Sequence, residues 1–272
     1  MDLLTLCSKI NLQPEIKNKA LSFEKEFDFK TVEKQLNDFS VYENMNKARA
    51  ELQTILGEDP DKVKMLACML KASAVAYETY QEKGIPDEIY VSTMKCYTRF
   101  IDETFQRTGR LFFDRDFWTT RQAGCHLFRI GELEYERIEK DGQTIIEIHI
   151  PSDADFSPSA VDESLECAKK FFREYYPEAG DSEYRCDSWL LDSQLKGMLK
   201  EGSNIIHFQN RFELLEEGEA GTEFLEWVFH KNDTGAADYA DLPEDTSLQR
   251  NMKKHLLSGG VFRSVHGRMK EK

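Results

Sequence analysis

No stretch of the chain approaches the ~20 consecutive apolar residues of a membrane span, so the sequence offers no transmembrane segment. Asp2 follows Met1, and no basic segment precedes an apolar one, which argues against a secretory signal. The six cysteines, Cys7, Cys68, Cys96, Cys125, Cys167 and Cys186, form no CxxC pair and have no metal-like pairing with histidine. That scatter reads as free thiols in a reducing, cytoplasmic setting, with neither a disulfide framework nor a metal centre. Walker-type and glycine-rich kinase loops are missing as well, which sets aside nucleotide hydrolysis and phosphoryl transfer.

What is present is acid, unevenly placed along 272 residues of net charge −14. Residues 1–130 carry 19 basic and 20 acidic side chains, whereas residues 131–272 carry 17 basic and 30 acidic ones. A half-chain this acidic argues against nucleic acid, because neutralising phosphates needs a basic face. It suits a cationic or amine-bearing small molecule, whose local concentration a negative field raises, and it equally suits plain solubility.

Two regimes of periodicity divide the chain. From residue 1 to 125 apolar residues recur at three- and four-residue steps, as in Leu21, Phe23, Phe27, Val32, Leu36 and Phe39, predicting an all-α domain. A helix over 61–82 follows Asp59 as cap and Pro60 as first residue, and Gly84-Ile85-Pro86 ends it before the next helix starts at Asp87. Residues 126–272 form the second predicted domain. There, 126–139 and 144–150 alternate around Lys140-Asp141-Gly142-Gln143 and predict a β-hairpin. Ser157-Pro158 opens a helix to Tyr176, 184–191 reads as a strand, and 194–199 reads as a short helix. Residues 204–215 with 223–230 read as a second hairpin, 232–245 as a long loop, 246–257 as a last helix, and 261–267 as a closing strand.

The order hairpin, helix, strand, short helix, hairpin in the second half resembles that of a GNAT-type acyltransferase. Several segments carry the likeness: the run from Leu127 to Glu136, His149-Ile150-Pro151-Ser152-Asp153, and Cys186-Asp187-Ser188-Trp189-Leu190-Leu191. Ser203-Asn204-Ile205, Phe208-Gln209, Leu242-Pro243 and Thr246-Ser247-Leu248-Gln249 complete it. The chain thereby resembles the bacterial two-domain proteins in which a helical N-acyltransferase N-terminal domain precedes a GNAT-like C-terminal domain. The resemblance implies an α+β fold with a mixed, mainly antiparallel sheet in the second domain. It also implies an acyl-CoA or acetyl-CoA cosubstrate, a small-molecule amine as acceptor, and no metal.

In that reading the strand 144–150 delivers the chain to a loop and helix start that receive the pyrophosphate. The cofactor-binding candidates are Ile150, Pro151, Ser152, Ser157 and Ser159, because a helix N-terminus offers unpaired N–H groups and partial positive charge. The loop lacks the family's glycine-rich pattern and carries Asp153 and Asp155, so a plain capped helix start stays open as the alternative. A rival anion site is Thr246 to Arg250 with Lys253 and Lys254, equally readable as a solvated helix face with an ordinary cap. Acylating an amine needs a base. A period of two puts Glu147 and His149 on one face of the strand, opposite Ile146, Ile148 and Ile150, and either can deprotonate an amine. Cys186 on the neighbouring strand, approaching His149, is the candidate for a covalent thioester route, or else a packed apolar thiol. Two functions follow: an acyl-CoA-dependent N-acyltransferase, or a non-catalytic GNAT-like binding or assembly module that has lost the CoA loop.

Overall fold

The computed structural model describes residues 1–140, 142–231 and 238–270. Contacts gather them into two compact units. The first comprises residues 1–130, 134–138 and 171–177; the second comprises 131–133, 139–170 and 178–272.

The first unit begins with α1 (Leu3–Lys9), α2 (Pro14–Glu26), α3 (Glu33–Asp38) and α4 (Met45–Leu56). It continues with α5 (Val63–Lys83), α6 (Asp87–Met94), α7 (Cys96–Thr108) and α8 (Asp116–Ala123). The apolar run over 20–40 is therefore a pair of helices, because the chain turns extended at Phe27. α5 is the central element: every residue from Met65 to Leu70 is buried, so this part of the helix is enclosed on all sides. Asp59 does cap it, accepting from the amides of Lys64 and Met65 at 3.2 and 2.9 Å. Pro60, however, lies before the helix, which starts only after a left-handed Lys62. Gly84 ends it at φ +72°, a conformation that costs glycine nothing.

Buried carboxylates in this interior meet arginines. Arg99 holds Glu134 at 2.7 Å, and Glu136 accepts from Arg121 Nε and from the Tyr42 hydroxyl, each at 3.0 Å. Both carboxylates are 2% exposed. Deleting Arg99 strands the buried Glu134 carboxylate, a loss of about 3–5 kcal/mol.

The sheet has the order β1-β2-β3-β4-β6-β5. Its strands are β1 (Leu127–Ile130), β2 (Leu133–Lys140), β3 (Gln143–His149), β4 (Glu183–Ser188), β5 (Phe212–Gly221) and β6 (Phe262–Met269). β3 and β4 run parallel, while β6 is antiparallel to both β4 and β5. The fold is α+β with a mixed, mainly antiparallel sheet, as the family resemblance implies. The helices α9 (Pro158–Tyr175), α10 (Asn204–Gln209), α11 (Phe224–Phe229) and α12 (Ser247–Leu257) complete it. One face of α9, continued by Tyr176, is buried: Val161, Leu165, Ala168, Phe172 and Tyr176 are all 5% exposed or less.

Three local readings are corrected. The stretch 126–139 is two strands, because Gly131 takes φ +62° and turns the chain after Ile130. Residues 204–209 and 224–229 are helical, so no second hairpin joins them. Ser203 caps α10 by accepting from Ile206 N, and β5 pairs with β6. The strand predicted over 184–191 ends at Ser188, whose side chain accepts from Leu190 N and opens a 3-10 turn. Asp141, at the predicted turn, and 232–237 of the predicted loop lie outside the described residues.

The second unit is closed by an apolar cluster that includes Trp189, Leu195, Phe224, Phe229, Met252 and Phe262. Fully burying one such side chain contributes about 1.5–3 kcal/mol. No helix among the described residues is long and apolar enough to cross a membrane.

Candidate functional site

The parallel pair β3–β4 organises the site. Its register runs Ile145↔Glu183, Ile146↔Tyr184, Glu147↔Arg185 and stops there. Both strands go on: β3 to His149, and β4 to Ser188 with β6 as its continuing partner. Beyond Glu147 and Arg185 the two central strands are thus no longer registered to each other. An open sheet binds ligands at such a place, outside the carboxyl ends of parallel strands.

Register also sorts the side chains by face. In a parallel pair, partnered residues share a face and the faces alternate along each strand. Glu147 and His149 therefore lie with Arg185 and Asp187. Ile146 and Ile148 lie with Tyr184 and Cys186, all 5% exposed or less. The predicted approach of Cys186 to His149 is corrected by this register, because the two point to opposite sides of the sheet. Burial, chiefly, pushes the Cys186 thiol well above its ordinary range, and Glu147 and Asp187 push it the same way. The thiol is protonated at neutral pH, as a packed apolar group would be.

The face carrying Glu147 and His149 extends across the sheet. Arg185 pairs with Arg268 and Asp187 with His266 on β6, and those two are opposite Glu213 and Glu216 on β5. The result is a strip of alternating charge. Arg268 binds Glu213 at 2.6 Å and Glu183 at 3.6 Å, Arg185 also binds Glu183, and His266 Nδ1 lies 3.3 Å from Asp187 Oδ2. Asp187 and His266 escaped the sequence reading, since only the β4–β6 pairing brings them beside each other. Alternation within 261–267 was the one available signal, and it does not name a partner.

The loop after β3 keeps Pro151 buried and leaves Ser152, Asp153, Asp155 and Ser159 exposed, with Ile150 and Ser157 half-buried. Two of its amides are taken by carboxylates. Asp155 N donates to Glu132 at 2.8 Å, and Ser157 N donates to Asp155 Oδ1 at 2.9 Å. A cation that the sequence did not suggest stands nearby. The Arg211 guanidinium donates to Asp162 Oδ1 at 2.9 Å and to the carbonyls of Pro158 and His207 at 3.0 and 2.6 Å, tying itself to the start of α9.

The rival site at α12 is filled by the protein itself. Thr246 and Gln249 form a reciprocal capping box. Arg250 binds the carbonyls of Glu244 and Asp245, and Lys253 binds the Leu242 carbonyl and Glu244. Among the described residues no cluster of His, Cys, Asp and Glu could hold a metal ion.

Comparison with known proteins meets this geometry. Residues 127–269 match the family described as the GNAT-like C-terminal domain, and residues 1–125 match the N-acyltransferase N-terminal domain. The chain belongs to this two-domain acyltransferase family. Among solved structures it is similar to an acyltransferase in complex with decanoyl-CoA and teicoplanin. That likeness has 24% identity and a TM-score of 0.79, over 98% of this chain and 86% of that one. An acyltransferase in complex with CoA and 10C-teicoplanin matches over the same shares, at 23% identity and a TM-score of 0.79. A third, in complex with decanoyl-CoA, matches at 20% identity over 98% of this chain and 87% of that one, again with a TM-score of 0.79. At these identities the likeness establishes the fold. Curated protein sequences yield no match.

Proposed function

We propose that this chain is an N-acyltransferase that moves an acyl group from acyl-CoA to an amino group of a small molecule. The observation that carries the reading is the end of β3–β4 pairing at Glu147 and Arg185, with His149 at the strand exit on a polar face. The acyl carrier lies along residues 150–159, with Ile150 and Pro151 against its apolar part and Ser152, Ser157 and Ser159 toward its phosphates. The first turn of α9 and Arg211 contribute the positive potential there. His149, with Glu147 beside it, removes a proton from the acceptor nitrogen; Cys186 stays a packed thiol. Family membership supports acyl transfer, and similar folds that hold decanoyl-CoA and teicoplanin support a CoA donor and a small-molecule acceptor. The reaction runs in a cytoplasmic setting, on a helical domain of residues 1–125 joined to a second domain of 126–272.

One observation favours the other reading, a binding module without chemistry. The amides of Asp155 and Ser157, which a bound phosphate would want, already donate to carboxylates. Thiol release from decanoyl-CoA and acetyl-CoA, followed with teicoplanin and a panel of primary amines, separates the two. Acyl transfer predicts release that depends on amine, an acylated product by mass spectrometry, and a fall of about 10²–10⁴-fold in His149→Gln. Thermal stabilisation by acyl-CoA without any product establishes the binding module instead.

A further inference from the structure

Converting an ammonium into an amide strips two protons from one nitrogen, one before attack and one after it. The reading above accounts for one of them at His149. The same face carries a second histidine in a defined setting. His266 of β6 is the direct cross-strand partner of Asp187, and its Nδ1 is 3.3 Å from Asp187 Oδ2. A carboxylate at Nδ1 keeps the proton of the neutral imidazole on that nitrogen, which leaves the Nε2 lone pair to accept another. The two side chains are 49% and 45% exposed, open to a dissolved amine.

Glu147 and His149 face this pair from β3, Arg185 from β4, Arg268 from β6, and Glu213 and Glu216 from β5. Both arginines are engaged by Glu183, and Arg268 also by Glu213. Asp187 and Glu216 thus give the strip beside His266 a negative balance that attracts an ammonium.

We propose that His266, positioned by Asp187, takes the first proton from the ammonium of the acceptor; this assignment rests on the acyl-transfer reading above. The ammonium gives one proton to His266 Nε2, and the imidazolium formed opposite Asp187 passes it to water. The freed nitrogen lone pair bonds to the thioester carbonyl carbon as the C–S bond breaks. The second proton leaves the nitrogen through His149 and ends on the departing thiolate. The products are an amide, CoA thiol and one proton in solution. Asp187 is a positioning residue that fixes the tautomer of His266.

The test compares two acceptors on the purified full chain at about neutral pH, with decanoyl-CoA as donor and thiol release as readout. n-Butylamine is an ammonium there, whereas methoxyamine is already neutral and has no first proton to lose. His266→Gln is expected to lower the butylamine rate by about 10²-fold or more and to leave the methoxyamine rate unchanged. Asp187→Asn is expected to lower the butylamine rate selectively and by less, and His149→Gln to lower both rates. Equal losses with the two acceptors in His266→Gln, or no loss with either, overturn the assignment of His266 while acyl transfer stands. Absence of thiol release from the unaltered chain with every amine removes the acyl-transfer reading itself. Asp187→Asn keeps the assignment testable if His266→Gln unfolds.

Discussion

His126 offers a direct test of how the interior of the first unit is built. It precedes β1, is 4% exposed, and is packed edge-on against the Tyr42 ring at 5.3 Å. Its Nε2 lies 3.1 Å from the Phe39 carbonyl oxygen, so the neutral ring donates its one proton there. Nδ1 has no hydrogen-bond partner among the described residues. Charging the ring would put a second proton on a buried nitrogen with no acceptor in reach. Burial therefore pushes the His126 pKa below its ordinary 6.5. The Phe39 carbonyl, Glu136 and Glu43 oppose that shift, and Arg137 adds to it. The unfolded chain protonates this ring near the ordinary value of 6.5, whereas the folded chain resists until lower pH. The unfolded state then binds more protons, so the contribution is complete above that value and is lost as pH falls toward the native pKa. Within that window the slope is up to about 1.4 kcal/mol per pH unit. Urea unfolding between about pH 7.5 and 5 measures it on the unaltered chain and on His126→Gln. Glutamine keeps an Nε2–H for Phe39 but does not titrate. Carboxylate effects are common to both proteins and cancel in the difference. The variant is expected to lose less stability on acidification; parallel pH profiles would refute the burial argument.

Two further outcomes test the second unit. A Cβ added at Gly267 would stand 2.7 Å from Leu191 Cδ1 and 3.1 Å from Phe212 Cβ, so Gly267→Ala is expected to cost about 1–3 kcal/mol by overpacking. An unchanged unfolding midpoint would show that the β6 backbone has room to give. Among the six cysteines only Cys167 is exposed, and burial pushes the thiols of Cys7, Cys68 and Cys125 up to about 11, 12 and 12. Iodoacetamide on the folded chain should therefore label Cys167 alone by peptide mass spectrometry. Labelling of Cys186 at the same rate would contradict its place on the buried face of the sheet.

The sequence reading succeeded where the signal is local. The helical period before residue 125, the helix opened at Pro158 and the Thr246 cap on α12 each come from residues within two turns of one another, and each stands in the structure. It failed where short segments compete. Residues 204–209 and 224–229 are six apiece, too short for a helical period to separate from a strand's alternation. The Ser203 cap was the local clue at the first of them. Gly131 likewise sat inside an alternating run, and only its left-handed backbone marks the turn.

The sequence alone set the face of β3 on which Glu147 and His149 stand, because alternation within a strand needs no partner. It also set the acidity of the second half and the helix that follows Ser157. Which residues join that face was decided by tertiary structure. The β3–β4 register turned Cys186 away from His149 and brought Asp187 in, and the β4–β6 register put His266 opposite it. A one-residue slip in either ladder would reverse that choice. Register between strands far apart in the chain is fixed by the burial of whole faces, Ile146, Ile148, Tyr184 and Cys186 together, and no short stretch of sequence carries that information.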